Sequence, residues 1–154
     1  YEIALCERVP AIVGATAKNA DVARALKTDW SLDGRETLFL KSRIVMAARA
    51  AGKLPLGGVW QQVHDLEGLK VSSEKDRQLG MSGELLLHPS NVEIVNKMYS
   101  PSDEEVAFYE GMIAAMEKAE TEGRASCIYD GEHIDIAHVK TAREIIELAR
   151  SFKN

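Results

Sequence analysis

Apolar and polar positions along the chain alternate in a way that predicts strands separated by helices. Three short apolar runs, at residues 9–14, 54–60 and 83–89, predict strands, and the continuous run in the third is typical of a strand buried on both faces, as in parallel sheets. Helical patterns at residues 19–26 and 36–51 follow the first run. Strands and helices in this order predict an α/β fold with parallel strands and right-handed crossovers.

The third apolar run ends in residues that predict the start of a helix. His88 and Pro89 close the run, and Ser90 is the predicted N-cap of the next helix, with Glu93 at the reciprocal position of a capping box. In α/β folds the functional loops gather at the carboxyl ends of parallel strands. We therefore expect His88, Pro89 and Ser90 at a functional rim.

A long helix at residues 36–51 and a short helix that ends at Gly80 are predicted between these strands. Asp33 and Glu36 form a predicted capping box for the helix at residues 36–51, whose apolar positions on several sides indicate that more than one element covers it. Polar residues 61–70 predict a second rim loop, because they directly follow a strand. A short helix from residue 72 or 73 to Gly80 then leads into the third strand.

The pattern changes after residue 99, where Pro101 and its two serine neighbours interrupt it. Ser102 with Glu105 is the predicted capping box of a long amphipathic helix beyond the break. We therefore divide the chain into a β/α part at residues 1–99 and a tail at residues 100–154.

A hairpin and a final helix complete the predicted tail. Asp130-Gly131, between apolar residues 125–129 and 133–134, is a strong signal for a hairpin turn. Asp135 is the predicted N-cap of the final helix. Because both helices carry apolar stripes, we expect this helix–hairpin–helix tail to pack against the β/α part or against a neighbouring subunit.

Composition limits the classes to which the protein can belong. Its 154 residues suffice for one ordinary core, and a net charge of -5, from 19 basic and 24 acidic residues, argues against a general nucleic-acid binder. No apolar run reaches the roughly 18 to 20 residues of a membrane span, and the first residues lack the regions of a signal peptide. Cys6 and Cys127 form no disulfide framework. We expect a cytoplasmic protein, and a start without Met inside an amphipathic pattern suggests a missing upstream segment.

Three segments together resemble one enzyme family: LKSRIVMAARAAGKLPLGGVWQQVHDLEGL at 40–69, GMSGELLLHPSNVEIVNKMYSPSDEEV at 80–106 and DGEHIDIAHVKTAR at 130–143. They are similar to the C-terminal half of the citrate lyase β-subunit and malyl-CoA lyase family, within the HpcH/HpaI aldolase superfamily. The resemblance implies the C-terminal part of a (β/α)8 TIM barrel, which typically needs about 250 residues. It also implies a Mg²⁺-dependent lyase that breaks or forms a C–C bond beside a CoA or acyl-carrier thioester, in trimers or hexamers.

The resemblance also assigns roles to individual residues. Asp21, in NADVARAL, matches a family metal ligand, although Lys18 and Asn19 depart from the family's smaller residues there. Asp135, in GEHIDIAHV, matches the acid/base Asp of the malyl-CoA lyase branch, which reaches the neighbouring subunit's site. A partner Glu for the metal and a carbonyl-polarising Arg are expected upstream of Tyr1.

Each of these residues also has a structural interpretation. Asp21 and Asp135 fit helix starts, where a carboxylate satisfies free N–H groups. A hydrogen-bonded structural role is favoured for His88. Six other polar residues in rim loops or on helices are interpreted as packing or surface groups rather than as ligands of a metal or of CoA phosphates: His64, Asp65, Glu67, Lys41, Arg43 and Arg49.

The sequence leaves three functions open. The first is a Mg²⁺-dependent lyase acting on a CoA thioester such as malyl-CoA or a citryl thioester. The second is a related CoA thioesterase, in which water completes the reaction after cleavage. The third is a barrel fragment without catalysis, acting as a subunit of an oligomer through its tail.

Overall fold

The computed structural model describes residues 1–14 and 16–152. By its internal contacts the chain divides into two compact units, Tyr1–Tyr99 and Ser100–Asn154. The division falls next to Pro101, where the apolar pattern breaks. Among the described residues, no helix combines the length and hydropathy needed to span a bilayer.

The first unit alternates strands and helices. In chain order its elements are β1 Ala11–Val13, α1 Asp21–Leu26, α2 Arg35–Ala50, β2 Leu54–Leu56, α3 Leu66–Leu79, a 3-10 turn Pro89–Asn91 and α4 Val92–Tyr99. The α/β class predicted from the apolar pattern is confirmed.

Parallel pairing joins the strands of this unit. β1 pairs with β2 in parallel, with Ala11 opposite Leu54. The third predicted strand pairs with the chain beyond β2 through a single parallel bridge between Gly57 and Glu84. Its backbone hydrogen bonds are Gly57 N–H to the Gly83 carbonyl, 2.9 Å, and Leu85 N–H to the Gly57 carbonyl, 3.2 Å. The three runs are therefore parallel neighbours in the predicted order.

The prediction that residues 83–89 are a strand buried on both faces is wrong. Only Glu84 is paired as a strand residue, and the side chains of Leu85 and Leu87 are exposed. Within the described residues the run has a parallel neighbour on the β2 side, so these leucines have little against which to pack. Apolar character alone does not produce a strand without a second neighbour or a covering layer.

Three predicted helix starts of the first unit also differ from the structure. Ser90 does not cap a helix, because the His88 side chain accepts the Ser90 N–H and a 3-10 turn precedes α4. Asp33 does not cap α2, which follows Gly34 in a left-handed conformation at φ 68°. The predicted loop at 61–70 contains the first turns of α3, since the Asp65 side chain accepts the Gly68 N–H at 2.9 Å.

The core of the first unit fixes the loops that follow β2. Its buried apolar residues are Trp60, Leu69, Met81, Val95 and Tyr99. The indole N–H of Trp60 donates to the Asp65 carbonyl at 3.0 Å, and this bond holds the start of α3 against the end of the strand region.

The second unit contains two helices and a hairpin. α5 Asp103–Thr121 begins with a capping box in which both reciprocal bonds between Ser102 and Glu105 are present. β3 Ser126–Tyr129 pairs antiparallel with β4 Glu132–Asp135, and α6 Ile136–Phe152 follows directly. The turn residues Asp130 and Gly131 have φ values of 47° and 80°, as a tight two-residue hairpin turn requires. A cluster of buried residues in this unit contains Met112, Met116, Ile134, Val139 and Ala142.

Candidate functional site

Asp21, the predicted metal ligand, is the first residue of α1. Its carboxylate lies 2.7 Å from the Arg24 guanidinium, and the side chain is 88% exposed. An ion pair this exposed contributes little stability, so the carboxylate is available to an added ligand.

The donor set around Asp21 allows a partial magnesium site. Within residues 1–14 and 16–152, no three His, Cys, Asp or Glu side chains converge on one point. Mg²⁺ prefers oxygen ligands, keeps several of its waters and needs only one or two carboxylates from a protein. Asp21 fits the share of a single carboxylate ligand.

Asp135, the predicted acid/base residue, ends β4 immediately before α6. Its Oδ1 accepts the Ala137 N–H at 2.9 Å and lies 2.8 Å from Nδ1 of His138. The hydrogen bond from His138 and then that from the Ala137 N–H hold the pKa of the Asp135 carboxyl below its usual value. The lowered pKa keeps this carboxyl ionised at neutral pH.

Charged residues also form a buried network next to the end of β2. Lys41 Nζ of α2 lies 2.6 Å from Asp76 Oδ1 of α3, and their side chains are only 14% and 3% exposed. An added Cβ on Gly57 would overlap the Asp76 carboxylate, so the backbone beyond β2 passes directly over it. The interpretation of Lys41 as a helix-surface charge is therefore wrong, because α2 and α3 cover it.

Glu84 extends this network to the third apolar run. The Tyr99 hydroxyl donates to Glu84 Oε1 at 3.1 Å. Burial, and then the nearby negative charge of Asp76, raise the pKa of the Glu84 carboxyl. Burial likewise raises the pKa of the Tyr99 phenol. The carboxyl groups of Asp76 and Glu84 thus lie in one poorly solvated region, where the Lys41 ammonium group forms a close ion pair with Asp76.

The two predicted rim loops meet at a pair of histidines. The rings of His64 and His88 lie edge to face with centroids 5.5 Å apart, and His88 Nδ1 is 2.8 Å from Ser90 Oγ. The side-chain amide of buried Asn91 donates to the Val63 carbonyl at 3.0 Å and ties the loops together. The expected hydrogen-bonded role of His88 is confirmed.

The other polar candidates make structural contacts. Asp65 caps α3 and Glu67 pairs with Lys70 at 2.7 Å. Arg43 lies over the Phe39 ring, and Arg49 donates to the Gly80 carbonyl at 2.9 Å. These contacts agree with the packing and surface roles expected for them.

Sequence reasoning overlooked two residues of these sites. Asp76 is 35 residues from Lys41 in the chain, so no local spacing links them. The apolar surroundings of Lys41 in α2 were the available signal, because a helix covered on several sides must bury some of its charges. His138 was also overlooked, although it stands three residues after Asp135, at the position of the reciprocal residue of a capping box.

Solved structures support the fold of the chain. A citrate lyase from Burkholderia xenovorans has a similar structure with a TM-score of 0.76, at 18% identity, over 99% of this chain and 49% of that one. The protein CitE from Mycobacterium tuberculosis, in complex with magnesium, acetoacetate and coenzyme A, is similar with a TM-score of 0.69 at 25% identity, over 83% of this chain and 48% of that one.

Similar sequences identify the family. A (3S)-malyl-CoA thioesterase from Cereibacter sphaeroides is 32% identical over 92% of this chain and 50% of its own. An L-malyl-CoA/beta-methylmalyl-CoA lyase from Rhodobacter capsulatus is 33% identical over 92% of this chain and 43% of its own. The chain spans about half the length of the curated relatives that it matches. The sequence profile of the HpcH/HpaI aldolase/citrate lyase family matches residues 1–89, more than half of the chain. The chain therefore belongs to the HpcH/HpaI aldolase/citrate lyase family.

Proposed function

We propose that this chain supplies part of the active site of a Mg²⁺-dependent lyase acting on the CoA thioester of a hydroxy acid, such as malyl-CoA or a citryl thioester. The observation that carries the proposal is the geometry of the Asp135 carboxylate at the end of β4, where the Ala137 N–H and His138 hold its Oδ1. The names of the malyl-CoA and citrate lyase relatives, and the magnesium and coenzyme A bound by one similar structure, support it.

The chemistry of this reaction requires a base of this kind. Removal of the hydroxyl proton from malyl-CoA lets the neighbouring C–C bond break to an aldehyde and a thioester enolate, which then takes up a proton at carbon. Asp135 is placed to accept or return a proton. Asp21 would hold Mg²⁺ through one oxygen, and the ion would stabilise developing negative charge on substrate oxygens.

The architecture that we propose is the C-terminal part of a (β/α)8 barrel. Three parallel neighbouring runs and the similarity to a citrate lyase structure support this assignment. In this architecture residues 100–154 act as a lid that reaches the site of a neighbouring copy in a trimer or hexamer. A lid that carries Asp135 could close over a thioester and exclude water.

A CoA thioesterase is the second candidate. It is favoured by the 32% identity to a (3S)-malyl-CoA thioesterase. The two activities differ in their products, because the lyase gives glyoxylate and acetyl-CoA from malyl-CoA, whereas the thioesterase releases malate and free CoA.

The test uses the protein as it is expressed from its own gene. We would incubate it with malyl-CoA and with citryl-CoA, with and without Mg²⁺, and identify the products by chromatography and mass spectrometry. We expect Mg²⁺-dependent formation of an oxo compound and a shorter acyl-CoA. Free CoA with an intact hydroxy acid would favour the thioesterase. If neither substrate is turned over, the lyase proposal fails and a subunit without catalysis is favoured.

Matched variants then test the two proposed residues. Asp135→Asn should lower kcat by about 10²- to 10⁴-fold, as expected for loss of a general base. Its control is Glu132→Gln, on an exposed residue of the same strand. Asp21→Ala should abolish Mg²⁺-dependent turnover. Asp29→Ala changes another exposed aspartate of the first unit and should leave turnover unchanged. Activity that survives Asp21→Ala with an unchanged Mg²⁺ dependence would place the metal elsewhere.

The action of Asp135 on a neighbouring copy has its own test. Asp135→Asn and Asp21→Ala proteins are each expected to be inactive, and they are mixed under conditions that exchange subunits. A mixed interface can join an intact Asp21 with an intact Asp135, so activity should return. If exchange is confirmed by mass spectrometry and no activity returns, Asp135 acts within its own copy or outside catalysis.

A further inference from the structure

The Asp135 carboxylate has a histidine partner within the same turn of the chain. His138 Nδ1 lies 2.8 Å from Asp135 Oδ1 and 3.1 Å from the Asp135 backbone nitrogen. Both side chains are about half exposed. The Ala137 N–H also donates to Oδ1, at 2.9 Å. Nδ1 of His138 and Oδ1 of Asp135 thus contact each other, and each also contacts one backbone nitrogen.

The two contacts of Nδ1 require opposite protonation states. A bare Nδ1 can accept the Asp135 N–H, as the second residue of a capping box does. A bare Nδ1 beside an ionised Oδ1 would be repelled, because both atoms are then acceptors. A protonated Nδ1 can donate to Oδ1 and must release the backbone N–H. The position of one proton therefore decides which bond forms.

The surroundings leave His138 as the group that governs this carboxyl. The one charged group that affects the pKa of the Asp135 carboxyl among the described residues is His138. The other causes of the pKa shift are hydrogen bonds and burial. Ser126, opposite Asp135 on β3, is uncharged. His133 lies two residues earlier on β4, where strand geometry places it on the same face. His133 is therefore the titratable control.

We propose that His138 is a positioning residue that orients Asp135 through Oδ1 and leaves Oδ2 to meet the substrate. This inference rests on the proposed function of Asp135 as the proton acceptor. Among the described residues, the hydrogen bonds to this carboxylate come from the Ala137 N–H and from His138, and both fall on Oδ1. When His138 carries a proton on Nδ1, the hydrogen bond favours the ionised carboxylate, which is the form able to act as a base.

A purely structural role makes a different prediction for His138→Gln. A glutamine at this position can accept the Asp135 N–H through its side-chain oxygen, because Gln is a normal reciprocal residue of a capping box. The cap is then preserved, but an amide carries no charge. If His138 only caps α6, His138→Gln should behave like the wild type in every assay.

The first measurement follows the titration of the Asp135 carboxyl in the 154-residue chain by carbon-detected NMR. We expect its midpoint to rise in His138→Gln, toward the ordinary value for aspartate, and to stay unchanged in His133→Gln. Thermal unfolding of the two variants should match, which shows that the cap is intact. An unchanged midpoint in His138→Gln would overturn the proposal.

The second measurement uses kcat of the protein expressed from its own gene. We expect His138→Gln to lower kcat about tenfold at an unchanged KM and to move the acid limb of the pH profile upward, because the base is less well oriented and more easily protonated. An unchanged kcat and acid limb would also overturn the proposal. If Asp135→Asn stays active, the proposed function of Asp135 fails, and the NMR titration alone decides whether the pair exists.

Discussion

Replacing Lys41 by Met removes the ammonium group that neutralises Asp76 next to the end of β2. The two groups lie 2.6 Å apart and are 14% and 3% exposed, so solvent cannot replace the lost partner. Met is close to Lys in length and keeps the apolar contacts of its stem within α2. The substitution therefore isolates the effect of the charge.

The magnitude follows from the buried carboxylate that is left without its partner. Breaking a buried ion pair by removing one partner destabilises a fold by about 3 to 5 kcal/mol. We therefore expect Lys41→Met to lower the free energy of unfolding at pH 7 by about 3 to 5 kcal/mol.

Urea unfolding followed by tryptophan fluorescence measures this loss. Both tryptophans of the chain, Trp30 and Trp60, lie in the first unit with ring centroids 6.3 Å apart, so their emission reports on the unit that contains the pair. The free energy of unfolding at pH 7 comes from linear extrapolation to zero urea.

Two further variants serve as controls. Lys70→Met breaks an exposed pair with Glu67, whose side chains are 48% and 83% exposed, and should change stability by about 0.5 kcal/mol or less. Lys41→Met combined with Asp76→Asn removes both charges of the pair, so it should destabilise the fold less than Lys41→Met alone. A loss below about 1 kcal/mol for Lys41→Met would refute the reasoning.

Three other substitutions test separate features of the two units. Gly57→Ala should destabilise the first unit by about 1 to 3 kcal/mol through its overlap with Asp76, whereas Gly83→Ala, which meets only ordinary contacts, should not, in the same urea assay. Glu84→Gln should stabilise the chain at pH 7, because a raised pKa makes ionisation of the folded state unfavourable, and the gain should vanish below the ordinary value of 4.5. Ser102→Ala should cost about 1 kcal/mol and speed hydrogen exchange in the first turn of α5.

The capping-box signature occurs at three predicted helix starts, and only one of them is confirmed. At Ser102 the backbone is extended, so the side chain reaches the N–H three residues on. At Ser90 the imidazole of His88 competes and takes the N–H of the serine itself. At Asp33 the next residue, Gly34, takes a left-handed conformation and is itself the N-cap of α2, without a side-chain cap. The sequence pattern shows which groups can cap, but neighbouring acceptors and backbone geometry decide which one does.

The order of the parallel runs and the family were predictable, because both depend on patterns that extend over many residues. The Lys41–Asp76 pair was not, since it joins α2 to α3 across 35 residues and depends on how those helices pack. The exposure of Leu85 could not be predicted from the sequence either, because an apolar residue is buried only when a neighbouring element covers it. Local signals thus predict elements, and tertiary contacts decide the charged network.

The pKa of Glu84 is raised and that of Asp135 is lowered. The pH dependence of unfolding and the pH dependence of kcat should therefore respond to different residues. Burial raises the pKa of Glu84 above 4.5, so acidification toward that value relieves its unfavourable ionisation and adds stability from this group. Hydrogen bonds lower the pKa of Asp135 below 3.8, so the proposed base stays ionised over the same range. Glu84→Gln should therefore change the pH dependence of unfolding and leave the acid limb of kcat in place. A shifted acid limb in that variant would show that Glu84, rather than Asp135, controls the proton.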